Sequence, residues 1–314
     1  MTSPTTSTSA FVLPQTGIFA QGTSAHHFLE FDLHAHARPM EAVSAFRGLR
    51  SPDVASGGVN LVLAFSGQIW RSVAPAHDAP PSLSPFRDIA GPDGRGVPAA
   101  QHDAWIWISG SRPDVVLDHA RAATVAVAPV AALVAERAAF TYHDGLDMTG
   151  FIDGTANPPT RLAPGVAMIP PGAPGQGGSH VLTMRWVHDL DAFGHLPVSE
   201  QERVIGRTKQ DSLELSAEYK PATAHIARVE IHAPDGSELP IYRRSVPYGT
   251  VAEHGLYFLA FSAERERFDV MLERMIGVSA DGLHDTLTKF SRPVGAGYYF
   301  APSLNALEEA GGPE

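Results

Sequence analysis

Cysteine is absent from the 314 residues. That excludes disulfides, zinc–thiolate sites, iron–sulfur clusters and thiol catalysis, and it excludes any prosthetic group tethered through C-x-x-C-H. Positive charge is scarce: 23 Lys and Arg against 34 Asp and Glu leave a net charge of −11, with no basic run to compensate locally. Binding to a phosphate backbone rests on clustered cations, so nucleic acid is not an expected partner. Long hydrophobic runs are missing too. The longest, Ala122 to Ala135, contains Pro129 and falls short of the about 20 residues that a membrane span requires, so no membrane is expected. MTSPTTSTSA at the N-terminus lacks the basic and apolar regions of a secretory signal and has no twin arginine. It reads as a disordered leader, residues 1–10, on a cytoplasmic protein.

What is present fits a globular chain with long loops: 44% apolar residues, 18% charged, 29 Gly and 26 Pro. FLEFDLHAH (28–36) alternates as a half-buried strand does, Pro39 to Leu49 has helical spacing, and Val59 to Phe65 reads as a second strand. A Pro/Gly-rich loop from Ala74 to Gln101 precedes a strand, HDAWIWISG (102–110), and a helix from Arg112 to Val127. A second series repeats this order. SHVLTMRWV (179–187) predicts a strand, and Ser199 to Gly206 a short helix capped by Ser199 with Glu202 three residues on. His225 to Ile231 and Leu239 to Val246 predict strands, followed by HGLYFLAFSA (254–263), a helix over Glu264 to Ile276, and a last strand at Gly297 to Ala301. Between the series, APGVAMIPPGAPGQGGS (163–179) reads as a linker. Strands with crossing helices, twice over, predict an α+β fold of two ferredoxin-like domains, residues 11–149 and 150–314.

Three segments carry candidate chemistry. In GFIDGTANP (150–158), Gly150 and Gly154 bracket Asp153 on a turn where backbone can approach a ligand, although such a carboxylate also caps turns. In KPATAHIARVEI (220–231), strand parity groups His225 with Ala227, Val229 and Ile231 on the inner face and puts Arg228, Glu230 and His232 outside. An inward His serves either as a hydrogen-bonded core residue or as a metal ligand. In IYRRSVPYGT (241–250), one of two adjacent arginines must face inward, as half of a structural ion pair or as a fixed cation beside a reacting oxygen.

GFIDGTANP, VIGRTK (204–209), ATAHIARVEI (222–231), YRRSVPYG (242–249), HGLYFLAF (254–261) and DTLTKFSRPVGAGYYFAPSL (285–304), in this order, resemble the B-type dye-decolourising haem peroxidases from about residue 10 onward. The resemblance implies the barrel-like pairing of two ferredoxin-like halves, the second carrying the haem. One haem b per chain would be held non-covalently. It also implies an enzyme that reduces hydrogen peroxide through a high-valent iron–oxo intermediate. Small or bulky organic donors such as dyes and phenolics, with porphyrinogens or metal ions as further candidates, would then be oxidised by one-electron steps. Relatives form dimers or hexamers, so a homo-oligomer is expected. Some dock inside a protein nanocompartment by an apolar C-terminal tail; SLNALEEAGGPE lacks that pattern, which points to a free enzyme.

Carried over by position, His225 falls where the family has its axial iron ligand, and Asp285 is the candidate acid on its Nδ1. Asp153 and Arg243 match the acid and arginine of the peroxide side. Ser245 stands where many relatives have Asn, Arg244 at a variable position, and Ala156 where relatives commonly carry Glu. Arg207 resembles the arginine near the haem propionates, and Gly154 and Thr155 are grouped with it as cofactor-binding residues. Trp186, Tyr219 and the Tyr298–Tyr299 pair are candidate electron relays. Two rivals stay open: haem storage without catalysis on the same fold, and a metal-dependent hydrolase using His34 and His36 of DLHAH (32–36), a spacing that could hold zinc.

Overall fold

A computed structural model of the chain describes residues 12–49 and 58–310. The expected leader, residues 1–10, lies outside the described residues. The first half runs β1 (Ala25–Leu33), α1 (Pro39–Arg47), β2 (Asn60–Phe65), α2 (Gly67–Val73), a small ribbon of β3 (Ile89–Ala90) and β4 (Gly96–Val97), then β5 (Ala104–Gly110), α3 (Pro113–Val127) and β6 (Ala131–Phe140). Proline opens α1 and α3, where its missing N–H costs nothing, and the Ser66 hydroxyl caps α2 by accepting the Ile69 N–H. The second half runs α4 (Ala163–Ala167), β7 (Ser179–His188), α5 (Leu190–Gly194), α6 (Val198–Ile205), α7 (His225–Val229), β8 (Tyr242–Arg243), β9 (Val246–Gly249), β10 (His254–Ser262), α8 (Glu266–Ile276), β11 (Ser291–Ala301) and α9 (Leu304–Ala310).

The strands of the main sheet lie in the order β6-β1-β5-β2-β11-β7-β10-β8, with β9 also on β10, and the pairings are antiparallel. Each half therefore places its fourth strand beside its first and its third between first and second, which is the ferredoxin-like order. The halves join where Phe65 of β2 meets Phe300 of β11. Period-two alternation divides the side chains between two layers. On β5, Ile106 and Ile108 pack under α1 and α3, whereas Trp105 and Trp107 turn to the opposite face. There they meet Tyr257 and Phe261 of β10 in a core shared by the two halves, with the Phe28 and Tyr257 rings stacked 3.8 Å apart.

Several expectations change. The segment read as a strand from His225 to Ile231 is the one-turn helix α7. Helical spacing puts His225 and Arg228 on one side, so Arg228, expected outside, is buried. Its guanidinium pairs with Asp281 (Nη1–Oδ2, 2.7 Å) and reaches the Arg274 and Leu283 carbonyls, while Arg274 returns bonds to the Ala227 and Arg228 carbonyls. Those bonds fix α7 against α8, and a five-residue apolar alternation cannot foresee them. Leu239 to Val246 resolves into β8 and β9, separated at Arg244 and Ser245. The last strand begins at Ser291, earlier than expected. The Ser199 cap does not form: Pro197 occupies the N-cap of α6 without a side-chain bond. The 163–179 segment is no free linker either, because Ala163, Ala167 and Met168 are buried in the inter-half core.

One position sets how closely β10 and β7 approach. A Cβ at Gly255 would lie 1.9 Å from the Trp186 carbonyl oxygen, and backbone cannot yield as a flexible side chain can. Gly255→Ala is expected to destabilise the fold by about 3 kcal/mol, the upper end for overpacking. Urea denaturation measures this; a loss within about 0.5 kcal/mol, as for an ordinary surface change, would show that β10 shifts freely.

Candidate active site

A cavity of about 410 Å³ lies on the helical side of the second half, between β7, β8 and β10 on one wall and α7, α8 and the 147–156 loop on the others. Asp153, Gly154, Thr155, Arg207, His225, Arg243, Ser245 and Asp285, the residues to which the resemblance gives catalytic or haem-holding roles, all line it. Alternation along β10 turns Leu256 and Phe258 into the cavity, and the same parity on β7 supplies Met184, Trp186 and His188. Met271 and Met275 of α8 add to an apolar interior.

His225 opens α7. Its Nδ1 lies 2.6 Å from Oδ2 of Asp285, a carboxylate with no solvent exposure. The other Asp285 oxygen accepts the Leu287 N–H at 2.8 Å, so both oxygens are engaged. With Nδ1 committed, Nε2 of His225 has no hydrogen bond among the described residues and is free to bind a metal. Gly206 lets α6 end against this helix: its φ is +96°, and a Cβ there would come within 2.6 Å of Ile226.

Asp153 sits on a loop folded back on itself, its N–H bonded to the Gly145 carbonyl and its Oδ1 accepting the Gly154 N–H at 2.7 Å. Gly154 holds a φ of +78°. Burial pushes the Asp153 carboxyl above its ordinary value; the Arg243 guanidinium opposes that rise and the Asp147 carboxylate reinforces it. Arg243 forms no side-chain hydrogen bond or ion pair among the described residues. Its neighbour Arg244 points to the other face of the strand, bonded to the Ile18 carbonyl and lying over the Trp107 ring. Ser245 accepts the Leu259 N–H through Oγ at 3.3 Å.

Sequence reasoning missed two features here. The Asn157 carboxamide donates to the Arg243 carbonyl and accepts the Arg243 N–H, both at 2.9 Å, tying the Asp153 loop to β8 as a paired strand would. An Asn after a glycine turn gives no signal of a partner 86 residues away. The second is a chain at the cavity wall: Asp147 Oδ2 to His188 Nε2 at 3.2 Å, and His188 Nδ1 to Ser291 Oγ at 2.8 Å. Burial works against the Asp147 charge, but hydrogen bonds from His188 and Thr149 outweigh it and hold the carboxyl below its ordinary value.

Arg207 bonds to the Ser212 carbonyl through Nη1 and faces Glu214 at 3.9 Å, while its buried Nε has no partner. Of the candidate relays, Trp186 lines the cavity; Tyr219 is exposed, and Tyr298 and Tyr299 are buried outside the lining. His34 and His36 follow β1 on a turn, where their rings stack and His34 bonds to the Ala128 carbonyl. Neither belongs to a metal-compatible cluster among the described residues, and the sheet is not a barrel of β/α units, so the hydrolase reading fails.

Residues 15–140 match the family described as Dyp-type peroxidase, N-terminal, and residues 144–306 match Dyp-type peroxidase, C-terminal. The chain is 31% identical to a dye-decolorizing peroxidase of Mycolicibacterium paratuberculosis, over 89% of this chain and 78% of that one. The fold is similar to a dye-decolorizing protein from V. cholerae (TM-score 0.85, 36% identity, 94% and 99% of the two chains). It is also similar to a variant of DypB from Rhodococcus jostii RHA1 in complex with heme (TM-score 0.84, 30% identity, 91% and 95%).

The Asn157 clamp is open to direct measurement. Asn157→Ala removes two hydrogen bonds, so stability is expected to fall by about 2 kcal/mol. Amide exchange at Arg243 should accelerate while that of β7 stays unchanged. Unaltered exchange at Arg243 would mean that β8 holds its place without the loop.

Proposed function

The chain belongs to the Dyp-type peroxidase family and is a haem peroxidase, and we propose that its cavity holds the haem between His225 on one side and Asp153 with Arg243 on the other. The residues present fit that group. An apolar interior suits a porphyrin, the unpartnered Nε of Arg207 suits a propionate, and the free Nε2 of His225 suits iron. With no cysteine in the chain, the haem is held non-covalently. The cavity lining runs from Asp147 to Ser291, which supports a division of the chain near residue 150 with the haem in the second half.

Haem supplies the iron on which hydrogen peroxide is reduced and the oxidising equivalents that organic donors then quench. His225 would bind that iron through Nε2, and Asp285, accepting from Nδ1–H, fixes the tautomer and makes the imidazole a stronger donor. Asp153 would take the proton from the inner oxygen of peroxide and return it to the outer one, which leaves as water. Arg243, a guanidinium not neutralised by a partner, would stabilise the negative charge developing on that oxygen. Ser245, its oxygen already engaged by Leu259 N–H, keeps a hydroxyl proton to donate toward peroxide. Gly154 and Thr155 would border the haem edge. Trp186 is the relay candidate that the cavity position favours for donors too bulky to enter. A homo-oligomeric state belongs to the same proposal. No helix among the described residues is long and apolar enough to cross a membrane, and a cytoplasmic setting belongs to the same proposal.

The observation that carries this reading is the His225–Asp285 pair opening on to the cavity. His225→Ala is expected to give a folded protein with severely reduced haem occupancy; full occupancy with an unchanged ferric spectrum would overturn the assignment. The peroxide side separates by pH. Asp153 must be ionised to accept a proton, and its carboxyl lies above the ordinary value of about 3.9. The peroxide reaction should therefore slow as pH falls through that raised value. Asp153→Ala should slow it by about 10²- to 10⁴-fold and abolish this acid limb. Arg243→Leu should slow it by about 10²- to 10³-fold, keep the limb, and move it to higher pH because the charge opposing protonation is gone. Stopped-flow rates across pH decide: a persistent acid limb in Asp153→Ala removes Asp153 as the base.

A further inference from the structure

Outside the haem cavity, His77, Asp78 and Glu309 bring an imidazole and two carboxylates together. The turn at Ala76–Asp78 follows α2, and its position is fixed where Trp70 Nε1 donates to the Asp78 carbonyl at 2.8 Å. Glu309 comes from α9, at the far end of the chain. Asp78 is 6% exposed, and its Oδ2 is buried with no hydrogen-bond partner. A buried carboxylate oxygen with nothing to accept is costly, and such atoms are few in native proteins. Burial pushes the Asp78 carboxyl upward, His77 opposes the rise, and Glu309 adds to it.

The distances are those of a shared ligand rather than of hydrogen bonds. His77 Nε2 lies 3.6 Å from Asp78 Oδ2 and 3.6 Å from Glu309 Oε2, beyond hydrogen-bond range for either. A single Nε2 could serve only one of the two carboxylates in any case. Atoms bound at about 2.0–2.2 Å to one tetrahedral ion stand roughly 3.3–3.6 Å apart. We propose that His77, Asp78 and Glu309 form a metal site for a divalent first-row cation of the zinc class, with water at the remaining position. Imidazole with carboxylates suits zinc, whereas magnesium prefers oxygen ligands alone. The side chains of His77 and Glu309 are more than half exposed, so solvent reaches the fourth position.

The cation would staple the segment after α2 to α9. That helix buries Ala306, Leu307 and Ala310 in the first-half core and receives a bond from Arg47 Nη1 at the Glu308 carbonyl. The other metal-compatible group among the described residues, Glu230, His232 and Glu238, is exposed throughout and has no buried orphan oxygen.

The test uses the haem-loaded protein freed of adventitious metal by chelation and titrated with zinc chloride. Calorimetry should find one zinc per chain whose affinity falls at least 10-fold in Asp78→Asn and in Glu309→Gln and is unchanged in His232→Ala. Asp78→Asn removes a buried charge and so folds without metal, which makes its loss of zinc a loss of ligation. Zinc should raise the melting temperature of the parent protein but not of Asp78→Asn, and zinc-edge X-ray absorption should report an imidazole in the coordination shell. Undiminished affinity in either carboxylate variant, dependence on His232, a shell without imidazole, preference for magnesium, or no zinc bound at all would each overturn the site.

Discussion

The hydrogen bond between His225 and Asp285 is the constraint on which the α7 side of the cavity rests. A carboxylate with no solvent exposure is tolerable only if its oxygens are engaged, and these two are taken by His225 Nδ1 and the Leu287 N–H. The segment around Asp285 is placed accordingly. Its own N–H bonds to the Met275 carbonyl at the end of α8, and the next residue, Thr286, bonds to the Thr223 carbonyl just before α7. One buried acid thus positions the start of one helix against the end of another. The imidazole between them is left with a single direction in which to use its second nitrogen. The exchange of bonds between Arg228 and Arg274, with the Arg228–Asp281 pair beside it, holds the other end of α7, so the helix that carries the ring is fixed at both ends.

The opposite side is built on the reverse principle. Arg243 is near enough to Asp153 to oppose the rise of its carboxyl, yet the two are not locked in a hydrogen bond. An ion pair between them would have lowered the acid and neutralised the cation, against the roles proposed for both. Here the backbone carries the geometry instead: Asn157 joins the loop to β8 through main-chain atoms of Arg243, leaving the guanidinium unengaged. Leaving charge uncompensated costs stability, and sites that handle protons are where proteins bear such costs.

Long periodic segments were legible in the sequence. The strands over 102–110, 179–187 and 254–263 and the helices from Pro39 and Pro113 lie where their patterns put them, within a few residues. Ordered blocks around Asp153, His225, Arg243 and Asp285 brought into view eight residues that the fold gathers in one cavity. Short segments were not legible, because an apolar alternation of five residues fits a strand and a single helical turn equally well. The face of His225 was inferred from strand parity, and a helix reaches a cavity-lining position for a different reason: Arg228, three residues on, is anchored by Asp281. Asn157, Asp147 and His188 escaped notice because their partners are distant in sequence, 86 residues away for Asn157 and 41 for the Asp147–His188 pair. Contacts of that range are properties of the folded chain and leave no periodic trace.

The alternation of β10 has one more consequence. Leu256 and Phe258 line the cavity, while Tyr257 between them stacks on Phe28 and joins Trp105 and Glu30 by hydrogen bonds in the core shared by the two halves. The wall between the reactive cavity and the inter-half core is thus a single strand thick. Met184 on β7 touches the cavity on one side and, on the other, the pocket bounded by Phe28 and Tyr257. The Phe28 and Tyr257 rings, stacked 3.8 Å apart, are in close contact and so transmit displacement across that strand. No strand or helix of the first half lines the cavity, yet that half packs against the strands that do: Phe28 and Trp105 press on Tyr257, which lies between the two cavity-facing residues Leu256 and Phe258. The cavity is walled by elements of the second half, and the placement of those elements depends on the first.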